Sequence, residues 1–393
     1  MASPTLLTFN AGSSSIKLGL FDWTGERPRR IGKGMLDLRL DPLVLHVSEG
    51  AETADIPLDA RQAEEFDDVV AETLDVLATH FGHSAIVLAG HRIVHGGDSF
   101  DGPARIDDES LKAIEALVPL APLHQPQGLR LIRALRRLRP NIAQSASFDT
   151  AFHRSQSDAM RRFALPREWF DRGVKRYGFH GLSYRFIAGA LGEIAPEIAG
   201  RKVVVAHLGS GASLCALDGG ASRATSMSFS TLDGIVMATR PGALDPGVMI
   251  HLAKSGLSTE AIEDMLYHRS GLLGLSGISA DARVLAESPE PAAAEALDHF
   301  AREIAATTAS FGAVLEGLDA LVFTAGIGEH QPDIRAAVCR RLGFLGLTID
   351  EAKNASNAQR IDAKGSRIAV FVIATDEEQV IAEEAAGLFA LPG

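Results

Sequence analysis

The stretch TLLTFNAGSSSIKLGLFD, residues 5–22, predicts a β-hairpin near the beginning of the chain. Two apolar runs of strand type, TLLTFN and IKLGLFD, flank the turn AGSSS. Glycine loses much conformational entropy on folding, so its clustering at a chain reversal indicates a positive φ or a ligand close to the backbone. The hydroxyl groups and backbone amides of this turn can donate several hydrogen bonds, as phosphate-binding loops do.

The same pattern returns in the second half of the chain. VVVAHLGSGASLCALDGG, residues 203–220, again predicts a buried strand, a Gly/Ser turn and a second strand. ALVFTAGIGEH (320–330) joins a buried strand to a glycine-rich end, and RIAVFVIATDEE (367–378) is a last strand that leads into a C-terminal helix. Strands that alternate with helices predict an α/β architecture with ligands at the strand ends. The repeated hairpin predicts two related domains around one cleft.

Length and composition limit the number of domains and the kinds of partner that the protein can have. The 393 residues are enough for two or three domains, and 50 acidic against 38 basic side chains give a net charge of −12 at pH 7. This balance argues against a nucleic-acid partner. Two cysteines, Cys215 and Cys339, fit a reducing cytoplasm. The sequence shows neither a signal-peptide pattern nor an apolar run of about 18 residues, so we expect a cytoplasmic protein with no membrane partner.

Three glycine-rich segments favour a nucleotide ligand. They are the hairpin tip 10–17, which ends in Lys17, the matching tip HLGSGAS (207–213), and GIGE (326–329). An ordinary polar turn accounts for any one of them alone. Three in one chain favour a nucleotide whose phosphates lie between the two hairpins.

Four basic side chains lie beside glycine or proline in predicted loops: Arg92, His124, His180 and Arg240. A surface or structural role accounts for each alone, but rigid loops at strand ends are where functional groups usually lie. Phosphoryl transfer needs positive charge around the phosphoryl group. Asp149 and Glu377, each after a predicted strand, are able to hold Mg²⁺ directly or through water. We therefore expect a cationic pocket inside an acidic protein.

Ten segments of the chain occur in the order seen in acetate kinases, and the chain resembles that family over nearly its whole length. The segments are NAGSSSIK, HRIVHGG, LAPLHQP, FDTAFH, RYGFHGLSY, HLGSGAS, TRPGALDP, GLLGLSGISADAR, TAGIGEH and TDEE. The resemblance implies an α/β fold of the sugar kinase, heat-shock ATPase and actin superfamily, with two ribonuclease-H-like (actin-like ATPase) domains around a nucleotide cleft. Residues 1–150 plus 377–393 would form the N-terminal actin-like domain, and 151–376 the C-terminal domain for nucleotide binding and dimerisation.

The same resemblance implies a reaction. Family members transfer the γ-phosphoryl group of ATP to acetate, giving acetyl phosphate and ADP reversibly, with Mg²⁺ or Mn²⁺, and they often form homodimers. Elementary chemistry supports an acid acceptor over a sugar, because a carboxylic acid with a pKa of about 4–5 is ionised at pH 7 and needs no catalytic base. We therefore expect direct in-line attack by the carboxylate oxygen, with no covalent enzyme intermediate.

The resemblance also implies site residues in four groups. The catalytic group is Asp149, Arg92, Arg240, His180 and His124, of which His180 matches a transition-state hydrogen-bond donor. The acetate-binding group is Arg92, Val94, Leu123, Phe179 and Thr231. The nucleotide and phosphoryl group is Ser13, Ser15, Lys17, His207, Gly209, Ser210, Gly211, Asp281, Ala282, Arg283, Gly326, Ile327, Gly328 and His330. The metal-supporting group is Asn10 and Glu377.

The chain departs from the family pattern at several positions. The family usually has other residues at Gln125, Leu182, Tyr184, Ser210, Ser228, Thr231 and His330. Ser210 and His330 match nucleotide contacts of the family, so the nucleoside or phosphate donor that the protein prefers stays open. Thr231 matches the wall of the acyl pocket, so the chain length of the preferred acid stays open too. Two other functions therefore stay open: a propionate or butyrate kinase with the same machinery, and a nucleotide-binding regulator of this fold that has lost catalysis. A sugar kinase is disfavoured, because a sugar hydroxyl needs a base.

Overall fold

The computed structural model of the protein describes residues 4–12, 15–25, 27–60, 66–81 and 86–389. The chain divides into two compact units, Met1–Phe152 with Asp376–Gly393 and His153–Thr375, here called unit 1 and unit 2. Unit 1 is thus built from two separated stretches of sequence. The predicted site residue Ser13 lies outside the described residues.

Strands and helices alternate along the described chain, as expected for an α/β protein. The strands are β1 (Thr5–Ala11), β2 (Ser15–Asp22), β3 (Arg29–Asp37), β4 (Val44–Glu49), β5 (Glu52–Pro57), β6 (Ile86–Ile93), β7 (Ala104–Arg105), β8 (Ala143–Phe148), β9 (Lys202–Leu208), β10 (Ala212–Asp218), β11 (Ala221–Thr225), β12 (Ala320–Thr324) and β13 (Ala369–Val372). The helices are α1 (Phe66–His80), α2 (Asp108–Ala116), α3 (Gln125–Leu138), α4 (Asp158–Arg161), α5 (Arg167–Asp171), α6 (Gly181–Ile194), α7 (Pro196–Ala199), α8 (Pro246–Lys254), α9 (Thr259–His268), α10 (Gly271–Ser276), α11 (Ala282–Glu287), α12 (Pro291–Val314), α13 (Ala325–His330), α14 (Pro332–Arg341), α15 (Glu351–Ala355) and α16 (Glu377–Leu388). Short 3-10 turns span Val118–Leu120, Ala151–Ser155 and Gly343–Leu345.

Unit 1 contains a sheet with the strand order β5-β4-β3-β2-β1-β6-β8-β7. Strands β1 to β5 form an antiparallel meander, whereas β6 runs parallel to β1, and β8 parallel to β6. The hairpin predicted at residues 5–22 is confirmed, with Asn10 opposite Lys17. The parallel strands bring their carboxyl ends to one edge of the sheet.

Both faces of the first strand are covered, which explains its continuous apolar sequence. On one face Leu7 and Phe9 belong to a core that includes side chains of α1 and α3. On the other face Leu6 and Leu88 pack with the alanines of α16. Gly90 in β6 allows this helix to lie close, because a Cβ there would be 2.6 Å from Cγ2 of Ile381.

Unit 2 contains a sheet with the order β11-β10-β9-β12-β13. Strands β9 to β11 are antiparallel, and β12 runs parallel to β9 and to β13. This arrangement repeats that of β3-β2-β1-β6-β8 in unit 1. The second predicted hairpin is also confirmed, because β9 and β10 pair antiparallel with Ser213 opposite His207. Helix α12 packs against β9 and β10. Among the described residues, no helix is both long enough and apolar enough to cross a membrane.

Candidate active site

Three parallel strands of unit 1 bring three predicted site residues together at their carboxyl ends. Asn10 lies near the end of β1, Arg92 near the end of β6, and Asp149 directly after β8. The Arg92 guanidinium donates from Nε and Nη2 to the two carboxylate oxygens of Asp149, at 2.9 and 2.6 Å. Its Nη1 donates to Oδ1 of Asn10 at 2.9 Å. This two-bond pairing fixes the plane of the guanidinium.

The first turn of α16 completes this cluster in unit 1. Asp376 caps the helix by accepting a hydrogen bond from the backbone amide of Gln379. Nδ2 of Asn10 donates to Glu377 Oε2 and to Glu378 Oε1, each at 2.9 Å. The partial positive charge of a helix N-terminus favours carboxylates at this position. The set Asn10, Arg92, Asp149, Glu377 and Glu378 is called the Arg92 cluster below.

The charges of the Arg92 cluster are unequal. Burial opposes the charge on Arg92, but Asp149, Glu377 and Glu378 together raise the pKa of its guanidinium well above the ordinary value. Three carboxylates face one guanidinium, so the formal charge of the cluster is −2 when all are ionised. Of the three carboxylates, Asp149 and Glu377 were predicted beside the cationic side chains, and the helix start adds Glu378.

The Arg92 cluster has a donor set that fits a hard divalent cation. Mg²⁺ usually takes one or two carboxylates and keeps waters and substrate phosphates as its other ligands. Glu377 and Glu378 each present one carboxylate oxygen to Asn10, and both are adjacent in the first helical turn. Within the ranges that the structure describes, no group of three or more His, Cys, Asp or Glu side chains forms a ready-made metal centre.

Other predicted residues of unit 1 lie on the hairpin and around the start of α3. Lys17 is exposed opposite Asn10, so both side chains lie on one face of the hairpin, while Ser15 is half-buried. Val94 is buried just after β6. Leu123 is exposed, and His124 precedes the first turn of α3.

In unit 2, two predicted imidazoles stack on each other. His180 lies directly before α6 with a left-handed φ of 58°, and His207 lies in β9. Their ring centroids are 4.2 Å apart with an interplanar angle of 25°. Nδ1 of His180 is 2.8 Å from Oγ of Ser213, and Nδ1 of His207 is 2.8 Å from Oγ of Ser183. Serine hydroxyls thus hold both rings by the same nitrogen.

The opposite edges of these rings face the glycine turn between β9 and β10. A Cβ at Gly211 would lie 3.4 Å from Nε2 of His180 and only 2.6 Å from Nη2 of Arg240. A Cβ at Gly209 would lie 3.8 Å from Nε2 of His207. The structure therefore brings five predicted residues together at this turn, and Arg240 comes so close that a side chain at Gly211 would clash with it.

Arg240 contacts one predicted acetate-binding residue, Thr231. Its Nη1 donates to the carbonyl oxygen of Thr231 at 2.8 Å. Burial lowers the pKa of Arg240, an effect that Tyr267 partly offsets. Thr231 and Phe179 are buried, and the carbonyl of Phe179 is 2.9 Å from Nε2 of His153. Ser210 is exposed at the tip of the glycine turn.

The predicted adenosine-binding residues lie on two short helices of unit 2. Asp281 caps α11 by accepting from the backbone amide of Arg283 at 2.9 Å, and it also accepts from the Arg283 guanidinium, which lowers the pKa of the Asp281 carboxyl. Ala282 is buried. Gly326, Ile327, Gly328 and His330 all lie on α13, and His330 is exposed.

A buried arginine anchors the end of α13. Arg335 of α14 donates from Nη1 to the carbonyls of Gly328 and Glu329 at 2.9 and 3.0 Å. Its other nitrogens donate to Asn354 and Asn357. Burial lowers the pKa of Arg335, and all of these acceptors are neutral. The guanidinium therefore stabilises the carbonyls at the end of the glycine-rich helix.

Sequence reasoning missed several polar residues of these sites. Glu378 lies in the quoted TDEE segment. Two adjacent acidic residues at the start of a predicted helix were the sequence signal that could have indicated it. Ser213, Ser183 and Tyr184 lie inside the quoted motifs HLGSGAS and RYGFHGLSY. Their role depends on which strand and helix face each other, and no spacing in the sequence indicates that.

Two α/β units, each with a sheet of the order antiparallel meander followed by two parallel strands, define the actin-like ATPase class of proteins. The polar residues Asn10, Arg92 and Asp149 lie at the carboxyl ends of parallel strands, where open α/β sheets generally bind ligands. The acetokinase family model matches residues 5–383. The chain belongs to the acetokinase family.

Individual relatives agree with this assignment. The chain is 45% identical over 389 residues to an acetate kinase of Rhodopseudomonas palustris strain TIE-1, with 97% of both chains covered. Among solved structures it is similar to a propionate kinase from Francisella tularensis subsp. tularensis SCHU S4, with a TM-score of 0.91, 34% identity, and 98% and 100% of the two chains covered. It is also similar to Porphyromonas gingivalis acetate kinase, with a TM-score of 0.88, 31% identity and the same coverage.

Proposed function

We propose that this chain catalyses the reversible, ATP-dependent phosphorylation of acetate to acetyl phosphate. The match of the acetokinase family to residues 5–383 carries the proposal. The geometry of the Arg92 cluster supports it, because a guanidinium held in a fixed plane suits a carboxylate or a phosphoryl group.

The reaction needs charge stabilisation and no catalytic base. A carboxylate oxygen of acetate attacks the γ-phosphorus of ATP, the bond from that phosphorus to the β,γ-bridging oxygen breaks, and ADP leaves. Repulsion between the acetate and the γ-phosphate is the main obstacle. We assign Arg92 and Arg240 to offset it, with His180 and His124 as hydrogen-bond donors. Asp149 orients Arg92 through its two hydrogen bonds and accepts no proton from the substrate.

We assign the metal site to the start of α16. Glu377, with Glu378 beside it, would hold Mg²⁺ or Mn²⁺ together with nucleotide phosphates. Such an ion would neutralise part of the phosphate charge. Asn10 positions the two carboxylates, because its amide nitrogen donates to both while its oxygen accepts from Arg92. Removal of divalent cations with a chelator should abolish product formation, and added Mg²⁺ should restore it.

The substrate contacts follow the resemblance. We assign the acyl pocket to Val94, Leu123, Phe179 and Thr231. We assign the contacts with the nucleotide and the transferred phosphoryl group to the following residues: Ser13, Ser15, Lys17, His207, Gly209, Ser210, Gly211, Asp281, Ala282, Arg283, Gly326, Ile327, Gly328 and His330. On this assignment unit 1 is the N-terminal actin-like domain, and unit 2 is the domain for nucleotide binding and dimerisation.

Propionate phosphorylation is the second candidate, because a solved structure similar to the chain is named a propionate kinase. One methylene group in an apolar pocket changes the transition-state energy by only about 1–3 kcal/mol. A small change in the pocket wall, such as Thr231, is therefore enough to alter the preferred acid.

A hydroxylamine trap for acyl phosphates tests both candidates. The purified chain would be assayed with ATP, Mg²⁺ and either acetate, propionate or butyrate. We expect the highest kcat/KM with acetate. A higher value with propionate would favour the second candidate, a higher value with butyrate would favour a butyrate kinase, and no acyl phosphate from any acid would reject all three.

We also propose a homodimer in the cytoplasm. Exposed apolar side chains on and beside α8 support the dimer: Leu244, Val248, Ile250 and Leu257. Cys215 and Cys339 are buried thiols outside any disulfide, which fits a reducing compartment.

A further inference from the structure

We propose that Tyr184 and Ser213 are positioning residues that hold His180 in the tautomer with its proton on Nε2, aimed at the glycine turn. This inference rests on the proposed function, in which Nε2 of His180 donates a hydrogen bond to the transferring phosphoryl group. The family usually has a histidine at the position of Tyr184, so the arrangement belongs to this chain.

The three side chains form a short hydrogen-bonded row. Oγ of Ser213 is 2.8 Å from Nδ1 of His180 and 2.5 Å from the hydroxyl of Tyr184. Ser213 and Tyr184 are fully buried. The row therefore lies in the core of unit 2 and links the first turn of α6 to β10.

The direction of the row follows from the chemistry of the hydroxyl groups. A phenol is a stronger donor and a weaker acceptor than a serine hydroxyl, because its oxygen lone pair is delocalised into the ring. Burial, and then Cys215, raise the pKa of Tyr184 well above its ordinary value, so the phenol keeps its proton. Tyr184 thus donates to Ser213, and Ser213 donates its single proton to Nδ1 of His180.

A neutral imidazole that accepts at Nδ1 carries its proton on Nε2. Nε2 of His180 faces the glycine turn, where it lies 3.4 Å from a Cβ built on Gly211. Nη2 of Arg240 approaches the same point to 2.6 Å. The tautomer set by the row therefore presents an N–H donor beside a guanidinium, as an anionic phosphoryl group requires.

His207 supports the orientation without sharing the row. Its ring stacks on His180, and its own Nδ1 is bound to Ser183, whose hydroxyl lies 2.9 Å from that of Thr375. The stack restricts rotation of the His180 ring, while Ser213 selects the tautomer. Substitution of Tyr184 or Ser213 alters the hydrogen bond that selects the tautomer but leaves the His207 ring in place, so it separates tautomer choice from ring stacking.

Nitrogen NMR of the full chain labelled with [¹⁵N]histidine tests the inference directly. The His180 signals are assigned by their loss in His180→Gln. At neutral pH we expect the unaltered chain to show His180 with its proton on Nε2, and Tyr184→Phe and Ser213→Ala to populate the Nδ1–H tautomer. An Nδ1–H tautomer in the unaltered chain overturns the inference, and so does a tautomer that stays unchanged in both folded variants.

Kinetics give a second readout with a matched control. Tyr184→Phe should lower kcat for acetyl phosphate formation about tenfold while KM for acetate and ATP stays within about twofold, because tautomer choice governs the donor in the transition state. The control is Tyr177→Phe, which removes a phenol that donates to the carbonyl of Gly173, 2.9 Å away, outside the row. An equal loss of kcat in both variants contradicts the inference.

The two readouts also separate this inference from the proposed function. An Nε2–H tautomer in a chain that forms no acyl phosphate would reject the function and leave the tautomer established. Acyl phosphate formation by a chain whose His180 has the Nδ1–H tautomer would reject the role assigned to Tyr184 and Ser213 and leave the proposed function intact.

Discussion

The guanidinium of Arg92 donates to Asp149 and Asn10 in a planar fork that an ammonium group cannot reproduce. A lysine at this position keeps the charge but loses the two-bond geometry. Burial of the pair distinguishes this position from surface arginines with the same fork, such as Arg137, which donates from Nε and Nη2 to Asp67.

Arg92→Lys is therefore expected to lower kcat by about 10²–10³-fold, as the loss of a preorganised transition-state donor does. The acyl phosphate assay measures it. Arg136→Lys is the matched control, because Arg136 pairs with Asp108 at 2.8 Å on the surface, where such pairs contribute little. Near-normal turnover of a folded Arg92→Lys variant would remove Arg92 from the site.

His91 makes stability depend on pH. Its ring is buried and stacks on Phe9, its Nε2 lies 2.8 Å from Gln144, and its Nδ1 has no hydrogen-bond partner among the described residues. Burial lowers the pKa of His91 from 6.5 to about 4. The unfolded chain thus binds a proton between these pH values that the folded chain does not, so stability falls as pH falls from 6.5 towards 4.

Lowering the pH from 7 to 5 should cost about 2 kcal/mol of unfolding free energy through His91 alone. His91→Gln should remove that part of the loss, as measured by urea unfolding at both pH values. A further measurement at pH 8, where the histidine is neutral in both states, separates ionisation from packing. Equal pH dependence of the variant and the unaltered chain would contradict the assignment.

At the scale of elements, the seating of α16 on β6 depends on the absence of a side chain at Gly90. A Cβ there would lie 2.6 Å from Cγ2 and 3.3 Å from the carbonyl oxygen of Ile381, both in a buried helix. The helix would have to move, and its first turn carries Glu377 and Glu378 of the Arg92 cluster.

Gly90→Ala is expected to destabilise unit 1 by about 1–3 kcal/mol through overpacking and to lower kcat by displacing the two carboxylates. Gly387→Ala is the control, because Gly387 lies in α16 itself and a Cβ there meets nothing within 4 Å. Thermal melting and the acyl phosphate assay measure both variants. If the two variants behave alike, close packing at Gly90 does not determine the position of α16.

The elements also show how far sequence reasoning reaches. The hairpins β1–β2 and β9–β10 were predictable because their strands are adjacent in sequence and buried, with a glycine turn between them. The antiparallel extension β3 to β5 was not predicted, because its strands are partly exposed and lack a continuous apolar run.

The candidate site also has parts that the sequence indicates and parts that it does not. Residue types at strand ends indicated Arg92 and Asp149 separately, but their pairing joins β6 to residue 149 across a crossover through α2 and α3. Sequence spacing does not state which strands become neighbours. For the same reason the contact between Ser213 and His180, which joins β10 to α6, could not be read from the motifs that contain them.

At the scale of the whole molecule, the proposed dimer is open to direct test. Ile250 on α8 is 55% exposed, and Val248 on the same helix is exposed too. Burial of such side chains against a second copy is favourable, whereas a buried unpaired carboxylate is strongly unfavourable.

Ile250→Glu should therefore convert a dimer to a monomer in sedimentation velocity experiments, while Leu40→Glu should not. Leu40 is an exposed apolar residue of unit 1, so it controls for added charge. A monomeric unaltered chain would reject the homodimer, and a dimeric Ile250→Glu variant would place the contact elsewhere.

The order of synthesis has a consequence for unit 1, whose last helix, α16, follows all of unit 2 in the chain. Until α16 is made, Leu6, Phe21, Trp23 and Leu88 lack the alanine face that covers them. At about 5–20 residues per second, the ribosome needs on the order of ten seconds or more to pass through unit 2. During this time one face of the first sheet lacks the helix that covers its apolar side chains in the folded protein. Arg92 and Asp149 are therefore joined by Glu377 and Glu378 only after unit 2 has been translated.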